Sequence, residues 1–382
     1  MKGTAVVIIL VAALIATVAR SGHEFPEYPG YYPHEIQIEA MSPERAADSL
    51  FKGKIQAYVG REPRFTGKLP DSIRPVESLG SFVIVRINPE SSSTRDNEAA
   101  CAVARTVIRD IALRRGEVIF HPYPITPFDG DYLYHVDLAD AAKTRVGSKP
   151  VDASMPAMRR LRVRATGALA EGLVGPDWHT EGSEWDAEVD EVRVSDLVAS
   201  STTATNGWLG PPWAKTGWFH AALLLARSVD DPRARDRVQA DLQRLESGGY
   251  ENTVERINLE RELVTSLTTT CRSVVVGYTV KREYVSTEYS AGIENIGFDS
   301  IEGLNSPIFI RTVKLKDFPW NGWLSLGIDT RPTAAWNPIA GFTDSFGRLM
   351  WSAVGDPALV PSPNDAGWML NRISDVQSNP GR

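Results

Sequence analysis

The sequence predicts a mixed α/β (α+β) fold, and three observations carry that reading. First, a short apolar run with β-branched residues, Phe82 to Ile87, precedes an amphipathic helical pattern over 97–115 and a second short run, Val118 to Phe120. Strand, helix and strand in succession build an α/β layer unit. Second, two segments alternate charged and apolar residues with a period of two, as half-buried strands do. Third, all ten tryptophans lie at or beyond position 178, so the two halves of the 382-residue chain are built differently.

At the start of the chain, Gly3 to Ala19 carries no charged residue, with Lys2 before it and Arg20 after it. This reads as an export segment over 1–20, either a cleaved signal peptide or a signal anchor. At 1.5 Å per residue it reaches about 25 Å, the lower edge of a bilayer core. As an anchor, residues 3–19 would contact the inner membrane and leave the body outside the cytoplasm. The expected location is extracytoplasmic, the bacterial periplasm, either anchored or secreted. Residues 21–41, with Pro26, Pro29 and Pro33 among tyrosines, read as a stalk.

Residues 42–195 read as an N-terminal α/β region. Ser42-Pro43-Glu44 starts a helix, with a hydroxyl cap, a first-turn proline and an acid near the positive end of the dipole. Ile55 to Val59 reads as a strand. In the helix over 97–115, Val103, Val107 and Ile111 recur every fourth residue, and Gly116 suits the turn after its end. Arg160, Arg162 and Arg164 alternate with Leu161, Val163 and Ala165. Glu184, Asp186, Glu188 and Asp190 alternate with Trp185, Ala187 and Val189. These are expected to be neighbouring strands whose opposite charges face each other, each pair contributing a few tenths of a kcal/mol to about 1.

Residues 196–217, rich in Gly, Pro, Ser and Thr, read as a linker. The C-terminal region, 218–382, is expected to be Trp-rich, with helical hairpins and strands. A mostly apolar helix covers Trp218 to Arg227. Asp231-Pro232 caps a second helix ending at Gly248-Gly249, and Asn252 caps a third bearing Val254, Ile257, Leu263 and Leu267. Ser273 to Val280 and Phe309 to Leu315 are rich in β-branched residues and read as strands. From Phe318 the pattern dissolves into Pro, Gly, Asn and Trp.

The net charge of −7 disfavours nucleic acid, whose phosphates need a basic surface. No dinucleotide fingerprint, phosphate loop, serine elbow or zinc-protease helix is present, so no cofactor is expected and no reaction is identifiable. Cys101 and Cys271 are the only cysteines. They either close one long loop in an oxidising compartment or stay as two buried thiols.

Two candidate sites stand out. The segment from His121 to Asp137 places His121, Asp129, Asp131 and His135 at a strand end and in the loop after it. Imidazoles and carboxylates there could ligate a metal or form a base with its orienting acid; the competing reading is a turn at Asp129-Gly130 packed by tyrosines and prolines. The second candidate is an aromatic surface of Trp320, Trp323 and Trp336, able to stack on sugars or anchor a partner, or simply to fill a core. Glu283, Glu288, Glu294 and Asp299 precede it, and two carboxylates facing an aromatic cleft is the layout of glycoside hydrolysis. The expected function is an extracytoplasmic accessory protein binding a protein partner or a small-molecule or carbohydrate ligand. The alternatives are a carbohydrate hydrolase and a structural subunit of a membrane complex.

Overall fold

A computed structural model describes residues 33–114, 116–147, 161–199, 211–316, 322–333, 344–355, 357–371 and 373–375. The expected export segment and most of the stalk lie outside these residues. Among the described residues, no helix is long and apolar enough to cross a membrane.

The fold is mixed α/β, built on one eight-stranded sheet. Its strands are β1 (Glu35–Ala40), β2 (Ala57–Val59), β3 (Ile73–Ile87), β4 (Ile119–Phe120), β5 (Val163–Thr166), β6 (Ala187–Arg193), β7 (Ser273–Ser286) and β10 (Trp323–Ile328). The order is β1-β10-β2-β7-β3-β6-β5, and β4 adds to the free edge of β7 beside β2. β4 comes so close to β7 that a Cβ on Gly277 would lie 2.1 Å from the Ile119 carbonyl oxygen, so only glycine fits there. The long antiparallel pair β3–β7 forms the centre, and strands from both sides of residues 196–217 share the sheet.

Residues 35–40, placed in the stalk by sequence, form edge strand β1. Ile36, Ile38 and Ala40 turn inward while Glu35, Gln37 and Glu39 face solvent, and such charges discourage edge pairing with another chain. The facing charge ladder is present for Arg162 and Arg164; Arg160 lies outside the described residues, and Asp190 pairs instead with Arg86 of β3. β5 and β6 run parallel, with Arg164 opposite Glu188, and the ion pairs Arg162–Glu184, Arg162–Asp186 and Arg164–Glu188 form. The Arg164 guanidinium also sits 4.6 Å from the centre of the Trp185 ring.

Within the ladder, Asp186 is buried. Its carboxylate accepts from the Ser91 hydroxyl at 2.5 Å and from the Arg162 backbone N–H at 2.9 Å. Burial pushes this carboxyl up, but those donors and the Arg162 guanidinium outweigh it and hold it below the usual carboxylate range. A depressed folded value contributes stability above the unfolded pKa, which is lost as pH falls through the folded one. Asp186→Asn is therefore expected to flatten the acid limb of the stability profile below about pH 4. Urea midpoints compared at pH 5 and pH 3 check this; an unchanged slope would remove Asp186 from the acid response.

Helices cover both faces of the sheet. On one face lie α2 (Asn97–Leu113) and α4 (Ala168–Leu173), packed on Val83, Val85 and Ile87 of β3. The opposite face of β3, Leu79, Phe82 and Ile84, packs under α5 (Val194–Ala199), α6 (Gly217–Leu225), α7 (Pro232–Ser247) and α8 (Thr253–Leu267). Successive residues of a strand point to opposite faces, and a register shift between Leu79 and Phe82 keeps Leu79 on the Phe82 side, so this one strand supplies two cores. α1 (Pro43–Phe51) shields Tyr58 and Ile73, and α3 (Val136–Gly147) follows the polar loop. The caps read from sequence form as expected: Ser42, Asp231 and Asn252 each accept backbone N–H bonds of the helix they precede, and Gly248 ends α7 in a left-handed turn. Cys101 of α2 is bonded to Cys271, just before β7, across a sequence separation of 170.

One expected strand is a helix. Residues 307–312 form α9 (Pro307–Thr312), followed by the two-residue strand β9 (Lys314–Leu315), which pairs with β8 (Ile293–Asn295). Ser306-Pro307 presets a helical start, and Ile308, Phe309 and Ile310 are all buried, so tertiary packing overrides their β propensity. Beyond Phe318, where no pattern was visible, the chain supplies β10, α10 (Ser345–Val354) and the hairpin of β11 (Leu359–Pro361) with β12 (Trp368–Leu370).

Candidate functional site

The polar segment after β4 enters the protein interior instead of lining a surface loop. His121, Asp129, Asp131 and His135 are all buried. Each is fixed by a separate set of contacts. His121 Nε2 donates to the Ile125 carbonyl at 2.8 Å, and its ring packs among Tyr123, Tyr132 and Tyr278. Burial pushes this imidazole down, which keeps it neutral. Asp129 Oδ2 accepts from the Thr126 N–H at 2.7 Å and the Thr126 hydroxyl at 2.8 Å, closing the turn read from Asp129-Gly130. Its Oδ1 faces His220 Nδ1 at 3.2 Å, with both side chains fully shielded. His220 Nε2 donates to the Ala214 carbonyl at 3.1 Å.

Asp131 takes the part of a helix cap from a distance. Its two oxygens accept the N–H groups of Gly217 at 2.9 Å and Trp218 at 3.1 Å, the first residues of α6. Thr216, the residue in the capping position, instead donates its hydroxyl to the Trp213 carbonyl and leaves those N–H groups to Asp131. The fit is close: a Cβ on Gly217 would lie 2.6 Å from Ile125 Cγ2. Burial, and then the neighbouring Asp129, raise the Asp131 carboxyl above its ordinary range.

His135 and Glu260 complete the centre. His135 Nδ1 lies 2.8 Å from the Tyr123 hydroxyl, and burial, then the Arg261 charge, push this imidazole down to about 4. Glu260, from the middle of α8, accepts from Arg256 at 2.6 Å through Oε1, and burial pushes it up to about 7. Donor atoms of Asp131, His135 and Glu260 all lie within 4.8 Å of one another. His135 Nε2 and Glu260 Oε2 are buried and hydrogen-bond to nothing among the described residues.

The structure thus brings His135 and Asp131 together with Glu260, and Asp129 with His220, while His121 is spent on its own loop. Sequence reading missed Glu260 and His220. Both carried a signal. His220 is the one ionisable residue in Gly217–Leu225, a helix apolar on every side. Glu260 sits on the buried face with Leu259, Leu263, Val264 and Leu267, where a solvated acid has no place.

The aromatic candidate is only partly visible. Trp320 and Trp336 lie outside the described residues; Trp323 opens β10 and is exposed. The acids expected beside it are committed elsewhere. Glu283 is buried and accepts the N–H groups of Gly60 at 2.6 Å and Leu304 at 2.7 Å. Asp299 accepts the N–H groups of Ile301 and Glu302 and pairs with Lys215. Glu288 closes a turn over Ser290 and Ala291, and Glu294 is exposed on β8. One surface cavity, of about 90 Å³, is lined by Leu50, Phe51, Ile55, Ile73 and Ser286 among others, and no tryptophan among the described residues borders it.

No protein family matches the sequence, and no curated protein matches it. Parts of the chain are similar to solved structures. HbpA2 from Haemophilus parasuis is 10% identical, with 70% of this chain and 55% of that chain covered and a TM-score of 0.40. The periplasmic binding protein DppA from Helicobacter pylori, in complex with the peptide STSA, is 11% identical over 72% and 56% of the chains, with a TM-score of 0.40. NikZ from Campylobacter jejuni, in complex with Ni(L-His), is 15% identical over 67% and 56%, with a TM-score of 0.35. The chain therefore spans little more than half the length of the solved structures to which it is similar.

Proposed function

We propose that the protein works outside the cytoplasm as a ligand- or partner-binding protein. The observation that carries this reading is the bond between Cys101 and Cys271, because such bridges persist in oxidising compartments and are rare in the cytosol of mesophiles. The uncharged apolar run at residues 3–19 agrees with it. The binding part rests on exposed apolar residues of the C-terminal region, with Trp323 on β10 and Trp368, Met369 and Leu370 on β12. A carbohydrate hydrolase draws no support from the acids near this region, because Glu283 and Asp299 are buried and bound to backbone N–H groups.

Fractionation of cells making the full chain tests the location. The protein is expected in the envelope fraction, with both cysteines resistant to alkylation until a reductant is added. Recovery in the cytosol with two free thiols would overturn the proposal. Affinity purification from detergent-solubilised envelopes then separates a partner-binding protein or complex subunit, which brings a stoichiometric partner, from a ligand-binding protein, which comes alone.

A further inference from the structure

We infer that Asp131, His135 and Glu260 form a binding site for one divalent transition-metal ion, which ties the loop before α3 to the middle of α8. This goes beyond the proposed location and binding role, and stands or falls separately.

Two buried atoms of this centre have no hydrogen-bond partner among the described residues. Leaving a buried polar atom unpaired costs about 1–3 kcal/mol, and more where the group is charged. His135 Nε2 and Glu260 Oε2 are both in this position, and both residues are completely shielded from solvent. They belong to the same three-residue cluster, whose donor atoms lie within 4.8 Å of one another. Donors on a small divalent ion, at bonds of about 2.0–2.2 Å, stand roughly 3–4 Å apart. One cation at the centre would satisfy both atoms together.

The surrounding groups leave these atoms free and aim them. The Tyr123 hydroxyl takes up His135 Nδ1, which lets Nε2 present its lone pair; a second partner on the far ring nitrogen is the usual way a ligating histidine is oriented. Arg256 occupies Oε1 of Glu260 and leaves Oε2. The Gly217 and Trp218 N–H groups hold Asp131 in place while each of its oxygens keeps a second lone pair. One imidazole nitrogen with two carboxylates suits zinc and its neighbours in the first transition row, whereas calcium takes six to eight oxygen donors. Three protein donors leave one position of a tetrahedral ion for water. Leu133 and Tyr134, between two of the ligands, are exposed, so the segment that carries the site runs at the protein surface.

The test uses the full chain with its disulfide intact, stripped with a chelator and titrated with Zn²⁺ and Co²⁺. The protein is expected to bind one equivalent of either ion and to melt at a higher temperature when loaded. His135→Gln and Glu260→Gln are each expected to weaken Zn²⁺ binding at least about 100-fold, with the far-ultraviolet circular dichroism unchanged. No binding by the parent protein, or equal binding by both folded variants, would overturn the site. Should neither variant fold, X-ray absorption of the Co²⁺-loaded parent protein decides. One imidazole among oxygen donors supports the assignment, while none, or two or more, overturns it.

Discussion

Reducing the bond between Cys101 and Cys271, or replacing both with serine, is expected to lower the stability of the folded protein by roughly 5 kcal/mol in the chain-entropy account of cross-links. The size follows from the loop closed, since the two cysteines are separated by 170 positions and a longer loop removes more freedom from the unfolded chain. Domains are stable by about 5–15 kcal/mol in all, so this one bond accounts for a large share. It joins α2, on one face of the sheet, to the start of its longest antiparallel pair. Guanidinium denaturation with and without a phosphine reductant measures the difference. A loss below about 1 kcal/mol would mean that the reduced, unfolded chain is already compact.

The second large effect is expected at Asp131. Changing it to alanine strands the N–H groups of Gly217 and Trp218 at the start of α6. Eight of the nine residues of that helix are buried, so water cannot replace the lost acceptor. Two unpaired donors at about 1–3 kcal/mol each, together with the space vacated, give an expected loss of roughly 3–5 kcal/mol. Asp131→Asn keeps one accepting oxygen and should recover part of it. Urea denaturation of the two variants beside the parent checks both values. Equal losses in the two would show that the charge, not the pair of accepting oxygens, is what α6 requires.

The parts of the fold that were legible in the sequence are those whose physics is local. Ser42, Asp231 and Asn252 cap helices that begin at the next residue. The arginine and acid alternations face each other because a strand repeats every two residues and unlike charges attract across the gap. What depended on distant partners was not legible. The cap of α6 comes from Asp131, 86 positions earlier, and nothing near Gly217 announces it. Residues 307–312 carry strand-like side chains yet coil into α9, because Phe309 and Ile310 are swallowed by the core around β10. The polar centre shows the same division. Its first half, His121 to His135, stood out as one stretch of imidazoles and carboxylates. Its second half, Glu260 and His220, lay in two helices that read as apolar stripes, and only the folded chain brings them beneath the loop.

The position of β10 in the sheet sets the order in which the molecule can be completed. Among the described residues, β1, close to the beginning of the chain, has β10 as its sole neighbour. During synthesis it has nothing to pair with until residue 328 has emerged, so the first strand made waits for the last one of the sheet. Contacts this far apart in sequence slow folding. They also give the nascent chain a long interval in which its sheet is unfinished. Any message truncated before that residue would yield a protein whose opening strand is left without a place.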